Sequence, residues 1–498
     1  MDQPATSRGE NNQIWLSRTW YNQIWMYQEA GMDGFIGRER ELAALGRYFA
    51  RVGAGDRPGR AILMRGRRRV GKSRLAEEFI HRSGVPSLFF TAAHEPLIDQ
   101  LTRFIEDAAA SDLPDATLFQ GVAPTSWDSA LRLLAQAVPQ DSPSIVVLDE
   151  LPFMISEDPH LEGRLQRLFD REFSRRPMLL ILIGSDLSIM EAINQYDRPF
   201  YMRASEMVIN PLTPADVAEK LGLAPAEAID AYLVTGGLPM ILDEWPVGAT
   251  VREFLNDAIP DPTSALTVSG ERALAAEFPP EAQARILLKA IGSGRRTFSS
   301  ISKASGGIPG TSVQRGLQIL MEKRMVTAEV PLSVRPSKDR RYHVADTHLR
   351  FWLSFVDPGM PEIDRGRGDL VLRRVERSWT AWRGAAVEAV IRESLRRMDG
   401  LPEETGAVGG YWTRTNNPEI DLVGADREPV AKKITMVGSV KWLETRPFDH
   451  HDLGELIVHR SQMPGADTST PLYVVSRSGC DVEGVKHITP EELLEVWR

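Results

Sequence analysis

The sequence predicts an α/β fold on a parallel sheet, followed by smaller helical and mixed modules. Three observations carry that expectation. Five short apolar runs, separated by helix-length segments, lie between residues 61 and 210; a glycine-rich turn follows the first run; and the texture changes from residue 211 onward. Strands covered on both faces read as continuous branched apolar runs, and their alternation with helices implies parallel pairing.

The runs are AILMR (61–65), SLFFTA (87–92), SIVVLDE (144–150), MLLILIG (178–184) and EMVIN (206–210). At 211–275, PLTPADVAEKLGL opens with a Thr-Pro and an acidic first turn, a helix start, and further helices are broken at Gly236-Gly237, so a small helical domain is expected. Residues 276–355 predict helix, helix, turn, helix and two strand-like runs around a basic loop, the order of a winged helix-turn-helix. Helix and strand patterns resume over 356–498 after a charged link. Residues 1–31 repeat NQIW at 12–15 and 22–25 without a clean period. They are expected to be an aromatic arm, or a leader that is not translated if synthesis starts at Met32.

With 498 residues, about three domains are expected. The net charge of −9 excludes a general polyanion binder. The single cysteine, Cys480, excludes an intrachain disulfide or a Cys-based zinc site. No apolar run reaches the ~18 residues of a membrane span and the start lacks an apolar signal region, so a soluble, cytoplasmic protein is expected.

The turn is Gly66-Arg67-Arg68-Arg69-Val70-Gly71-Lys72-Ser73, followed by Arg74. Its spacing, G-x-x-x-x-G-K-[ST], sits between a strand and a helix, the context in which backbone N–H groups cradle phosphates. Lys72 is expected to neutralise the β- and γ-phosphates of a nucleotide and the Ser73 hydroxyl to hold Mg²⁺. Asp149, ending the third apolar run, is the second Mg²⁺ residue, and Glu150 the general base for an attacking water. Ser185, at the tip of the fourth run, is the candidate γ-phosphate sensor, with an N-cap as its plainer alternative. The three arginines are expected on the outside of the loop, solvated, paired with acids or on nucleic acid.

FIGRERELAAL, GRRRVGKSRL, VVLDELPFMI, LIGSDLSIM and VTGGLPMIL together resemble the archaeal-type ATPase family, in the STAND branch of AAA+-like P-loop NTPases. The resemblance covers residues 33–245 and implies a five-stranded sheet of order 5-1-4-3-2 with a helical lid, binding ATP and Mg²⁺. It further implies that Phe35, Ile36, Gly37 and Arg38 lie against the adenine and that Pro239 packs on the base. Arg203 sits where relatives carry a Gly-Arg, with Met202 in place of the glycine, and is implied to sense the γ-phosphate in cis or from a neighbour.

Residues 276–355 carry 13 Lys/Arg against 6 Asp/Glu, a local +7 in an acidic chain. Such asymmetry suits contact with double-stranded DNA. Thr311, Ser312, Gln314 and Arg315 open the expected recognition helix, and Arg335, Lys338, Arg340 and Arg341 crowd the wing. The alternative is an intramolecular clamp on the nucleotide domain.

Residues 340–475 resemble the C-terminal part of one subgroup of these ATPases, similar in turn to a PD-(D/E)XK nuclease fold. The resemblance implies that Glu388, Asp421 and Lys441 occupy nuclease positions, whereas Ser439 stands where relatives carry a glutamate. Serine is a poor Mg²⁺ ligand, so a degenerate site is expected unless Glu419, Glu444 or Glu455 substitutes. The expected function is an ATPase switch gating contact with DNA or a protein partner, itself included. A DNA-cutting enzyme and an ATP-bound regulator that does not turn over are the alternatives.

Overall fold

The computed structural model describes residues 35–54, 58–279 and 281–498. The NQIW repeat and Met32 lie outside the described residues. The chain separates into two compact units, the first ending at Pro211 and the second running from Leu212 to Arg498.

The first unit holds β1 (Arg60–Arg65), β2 (Ser87–Thr91), β3 (Ser144–Asp149), β4 (Met178–Gly184) and β5 (Ser205–Val208). They form one parallel sheet of order β2-β3-β4-β1-β5, the expected order read from the other edge. Every residue of β3 and β4 is buried, which is why both are uninterrupted apolar runs. β5, at an edge, is short and half exposed. On one face Phe90, Phe104 and Trp127 pack as tilted and edge-to-face rings, with centroids 5.3–5.7 Å apart. The fixed order of β3, β4 and β1 brings three strand tips side by side.

The second unit opens with helices Pro214–Leu221 and Pro225–Thr235, the first capped by a Thr213/Asp216 box. The second ends on Gly236 and Gly237, both left-handed; a Cβ on Gly237 would lie 2.0 Å from the Leu212 carbonyl oxygen, so only glycine fits. Helices Gln283–Gly292, Phe298–Ala304 and Gly310–Glu322 precede an antiparallel ladder of β6 (Val326–Glu329) and β7 (Arg341–Val344). After the helix Gly368–Arg397 comes a second sheet: β8 (Ala407–Trp412), β9 (Glu419–Ala425), β10 (Ile434–Lys441), β11 (Leu472–Ser476) and β12 (Lys486–Ile488), in the order β12-β11-β10-β9-β8.

The expected boundaries at 275 and 355 fall inside shared cores. One buried cluster runs from Leu212 through Leu287 and Val344 to Val375, and another joins Ile229 and Leu233 to Val387, Val408 and Leu422. The β6–β7 connection is likewise built into the second sheet. Leu332 donates its N–H to the Gly410 carbonyl (2.9 Å) and packs into the core with Ile420 and Val423. Ala431 N–H donates to Ser333 O (3.0 Å), and the Trp412 indole N–H to Asp339 O (2.9 Å). This covers the exposed edge of β8. Leu332→Ala is expected to cost about 2–5 kcal/mol in chemical denaturation, the usual range for emptying a buried leucine site. The exposed Lys338→Ala should stay within about 0.5 kcal/mol.

Candidate functional site

The turn after β1 is shaped by packing and backbone conformation. A Cβ on Gly66 would sit 2.3 Å from the Ile209 carbonyl oxygen, so only hydrogen fits. Arg69 and Gly71 take positive φ (66° and 89°), curling the chain before helix Lys72–Ser83 begins. Val70 is fully buried and anchors the loop, and the buried Arg38 guanidinium donates through Nη2 to the Val70 carbonyl (2.7 Å). Lys72 Nζ donates to Gly66 O (3.0 Å) and Arg67 O (2.9 Å) across the loop. Burial pushes the Lys72 ammonium below its usual pKa; Glu150 and Asp149 oppose this, and Arg68 adds to it. A bound polyphosphate would supply the missing counter-charge.

The neighbouring tips complete the site. Ser73 Oγ donates to Asp149 Oδ2 (2.6 Å), the Glu150 backbone N–H to Asp149 Oδ1 (2.8 Å), and Ser185 Oγ to Glu150 Oε2 (2.9 Å). Ser73, Asp149, Glu150 and Ser185 thus form one hydrogen-bonded line across the tips of β1, β3 and β4. Glu150 holds φ 53°, a left-handed conformation that costs a non-glycine residue roughly 1–3 kcal/mol. The donor set suits a nucleotide with Mg²⁺: a buried ammonium, a hydroxyl paired with a carboxylate, and a loop with no room for a side chain at Gly66. Arg68, Arg69 and Arg74 are exposed and Arg67 is half-buried.

The family model described as "ATPase domain predominantly from Archaea" matches residues 35–244, enclosing the whole of this geometry. Residues 35–244 form an archaeal-type ATPase domain. A second model, described as "Archaea bacterial proteins of unknown function", matches residues 352–452. An uncharacterized protein of Methanocaldococcus jannaschii is 25% identical over 449 residues, 89% of this chain and 95% of that one. Among solved structures, a Walker-type ATPase of Pyrococcus abyssi shares 19% identity with a TM-score of 0.45, covering 64% of this chain and 96% of that one. The ORC2 protein of Aeropyrum pernix, solved in ADPNP–ADP complexes, shares 15% identity with a TM-score of 0.44, covering 70% and 98%.

Phe35, Ile36 and Gly37 are half-buried ahead of helix Glu39–Phe49, with Arg82 over the Phe35 ring at 5.9 Å. Arg38, expected on the adenine, instead braces the phosphate loop and Glu41. Pro239 opens the short helix Pro239–Leu242 in the second unit and is half-buried. Arg203 overturns the expectation of a cis sensor. It lines a small cavity with Gly59 and Arg60, at the start of β1, whereas the phosphate loop is at the other end of that strand, roughly 17 Å away by strand rise. Its guanidinium is held by Asp170, at 3.0 Å from Nε and 2.9 Å from Nη2. Met202, in the glycine's place, keeps a glycine-like φ of 58°.

In the second unit, Thr311, Gln314 and Arg315 are exposed on helix Gly310–Glu322 and Ser312 is half-buried. Arg335, Lys338 and Arg340 are exposed. Arg341, expected to face DNA, is buried. Its Nη1 donates to Glu419 (2.6 Å) and its Nη2 to Asn416 Oδ1 (2.9 Å), with the Trp412 ring 4.4 Å away. It belongs to β7, whose pairing with β6 sets it against the second sheet.

The nuclease-like residues converge but are already partnered. Arg392 Nη2 donates to Glu388 (2.9 Å), its Nε to the Asp421 carbonyl (3.0 Å) and its Nη1 to Glu329 (3.2 Å). Asp421 Oδ2 accepts from Ser439 Oγ (3.0 Å) and Val440 N–H (2.9 Å). Lys441 Nζ is paired with the buried Asp452 (2.6 Å). Burial raises the Glu388 carboxyl to about 7, against the pull of Arg392. Burial also pushes Asp421 up, while the Val440 N–H and Ser439 hydroxyl hold it down. Of the three possible substitutes, Glu419 is engaged with Arg341 and Glu444 with Arg383, while Glu455 is exposed beside His451. Among the described residues no group of three or more His, Cys, Asp and Glu is placed to hold a metal ion. Sequence reasoning missed Arg392 and Asp452. Arg392 lies four residues after Glu388 on one helix, a spacing that signals an ion pair, whereas Asp452 carried no local signal.

Proposed function

We propose that this chain binds and hydrolyses ATP with Mg²⁺, and that its nucleotide state governs contact with duplex DNA through a winged-helix segment at residues 276–355. The observation that carries the first part is the line Ser73–Asp149–Glu150–Ser185. Bound Mg²⁺ would neutralise phosphate charge beside Ser73 and Asp149. Lys72 sets its ammonium on the phosphates in place of the two loop carbonyls. Glu150 takes the proton of the attacking water, and the Ser185 hydroxyl together with the constrained Glu150 backbone orients that carboxylate. Arg203, tied to Asp170 at the opposite end of β1, has no part in this step within one chain.

The DNA reading is supported by the local +7 charge, the exposed Thr311, Gln314 and Arg315 on one helix, and the exposed Arg335, Lys338 and Arg340. For the C-terminal sheet we propose a binding role without strand cleavage, because Arg392 occupies Glu388, the Ser439 hydroxyl and Val440 N–H hold Asp421, and Lys441 is paired with Asp452. The test is ATP turnover and filter binding of duplex DNA by the full chain, in ATP and in ADP. Salt-steep DNA binding that differs between the nucleotides, with turnover altered by DNA, is expected. Equal binding in both states would overturn the gating, and plasmid nicking lost in Lys441→Ala would overturn the non-cleaving role. ATP held without turnover would favour a static regulator.

A further inference from the structure

The loop between β6 and β7, expected to be a basic wing, is fastened along the edge of the second sheet. Leu332 is 4% exposed in that sheet's core, and the Trp412 indole holds the Asp339 carbonyl. Asp339 is the neighbour of Arg340, and Trp412 lies two residues before Arg414. At the other end Ser333, two residues before Arg335, accepts from the backbone of Ala431, the neighbour of Lys432. The backbone therefore brings two sets of cations together: Arg335, Lys338 and Arg340 from the β6–β7 connection, and Arg414 and Lys432 from the turns flanking β9. All five are exposed and make no ion pair among the described residues.

Two nearby acids are engaged by groups of their own turns. Asp339 binds Ser337, and Asp426 accepts the backbone N–H groups of Lys432 and Lys433 (2.9 and 3.1 Å). Among the described residues Asp339, Glu403 and Glu428 are exposed near this surface, three acids against the five cations, so the local balance stays positive. The buried Arg341, held by Glu419 and Asn416, is a positioning residue that fixes the connection to the sheet. Cations on one fixed scaffold lose little further freedom when they meet a line of phosphates.

We propose that the β6–β7 connection and the C-terminal sheet form one continuous ridge for the phosphate backbone of duplex DNA, with Arg414 and Lys432 as phosphate contacts supplied by the C-terminal part. The inference rests on the reading that residues 276–355 meet DNA, and it extends that contact to a region to which no role is assigned.

The test is equilibrium binding of the full chain, with ATP, to a 30-base-pair duplex of mixed sequence across a salt series. Arg414→Ala/Lys432→Ala is compared with Lys338→Ala/Arg340→Ala and the unaltered chain. Each phosphate contact contributes about 0.9 to the slope of log affinity against log salt. Each double variant should therefore flatten the slope by about 1.8, at unchanged melting temperature. A flatter slope for Lys338→Ala/Arg340→Ala with none for Arg414→Ala/Lys432→Ala would overturn the shared ridge and leave the DNA reading standing. Absence of salt-dependent binding by the unaltered chain would overturn both.

Discussion

Glu150→Gln should lower ATP turnover by roughly 10²–10⁴-fold, the usual worth of a positioned general base, while the nucleotide stays bound. Glutamine keeps the shape, and its amide oxygen can still accept from Ser185 Oγ, now 2.9 Å from the carboxylate, but it cannot take a proton from water. A steady-state phosphate-release assay gives the turnover, and retention of labelled ATP on a desalting column gives the occupancy. Turnover within about threefold of the unaltered chain would remove Glu150 from the chemistry. Ser185→Ala should have a smaller effect of the same sign, because it loosens the base without removing it.

Lys72→Ala is expected to weaken ATP binding by roughly 10- to 100-fold, from about 1.5–3 kcal/mol for hydrogen bonds to a charged group. The buried ammonium now donates to two loop carbonyls, so the variant loses phosphate contact and also leaves two acceptors without their donor. Calorimetric titration with ATP reads the affinity, and a melting curve without nucleotide separates loop damage from lost phosphate binding. ATP affinity unchanged within twofold would sink the assignment of Lys72 to the phosphates.

The candidate site of the ATPase domain was legible because most of its parts are local. A strand, a turn and a helix start lie within residues 60–73, and a strand tip is recognisable from VVLDE alone. The need for glycine at 71 follows from backbone conformation, whereas that at 66 comes from the Ile209 carbonyl, which only the fold brings close. Arg38 and Arg203 were less legible because their roles depend on partners far along the chain, Val70 for one and Asp170 for the other. The family pattern placed both on the nucleotide, whereas Arg38 braces the loop and Arg203 sits at the opposite end of β1. The C-terminal site shows the same division. The change to Ser439 announced a weakened metal site, but only the packing put Arg392 among its carboxylates and Asp452 on Lys441.

By itself, the sequence determined the parallel sheet, its strand order through the family pattern, the phosphate loop and the charge contrast between residues 276–355 and the rest. The sheet, the loop and the charge contrast follow from apolar periodicity, glycine placement and composition, which act over a few residues, whereas the strand order is what the resemblance implies. Tertiary structure alone decided that the β6–β7 connection joins the second sheet and that Arg341 turns inward. It also decided that Asp230 gathers Arg383, Arg477 and the Trp442 indole from 153, 247 and 212 residues away. The physical reason is desolvation: a buried charge must find partners wherever the fold brings them, and that pairing leaves no mark at either residue's own place in the sequence.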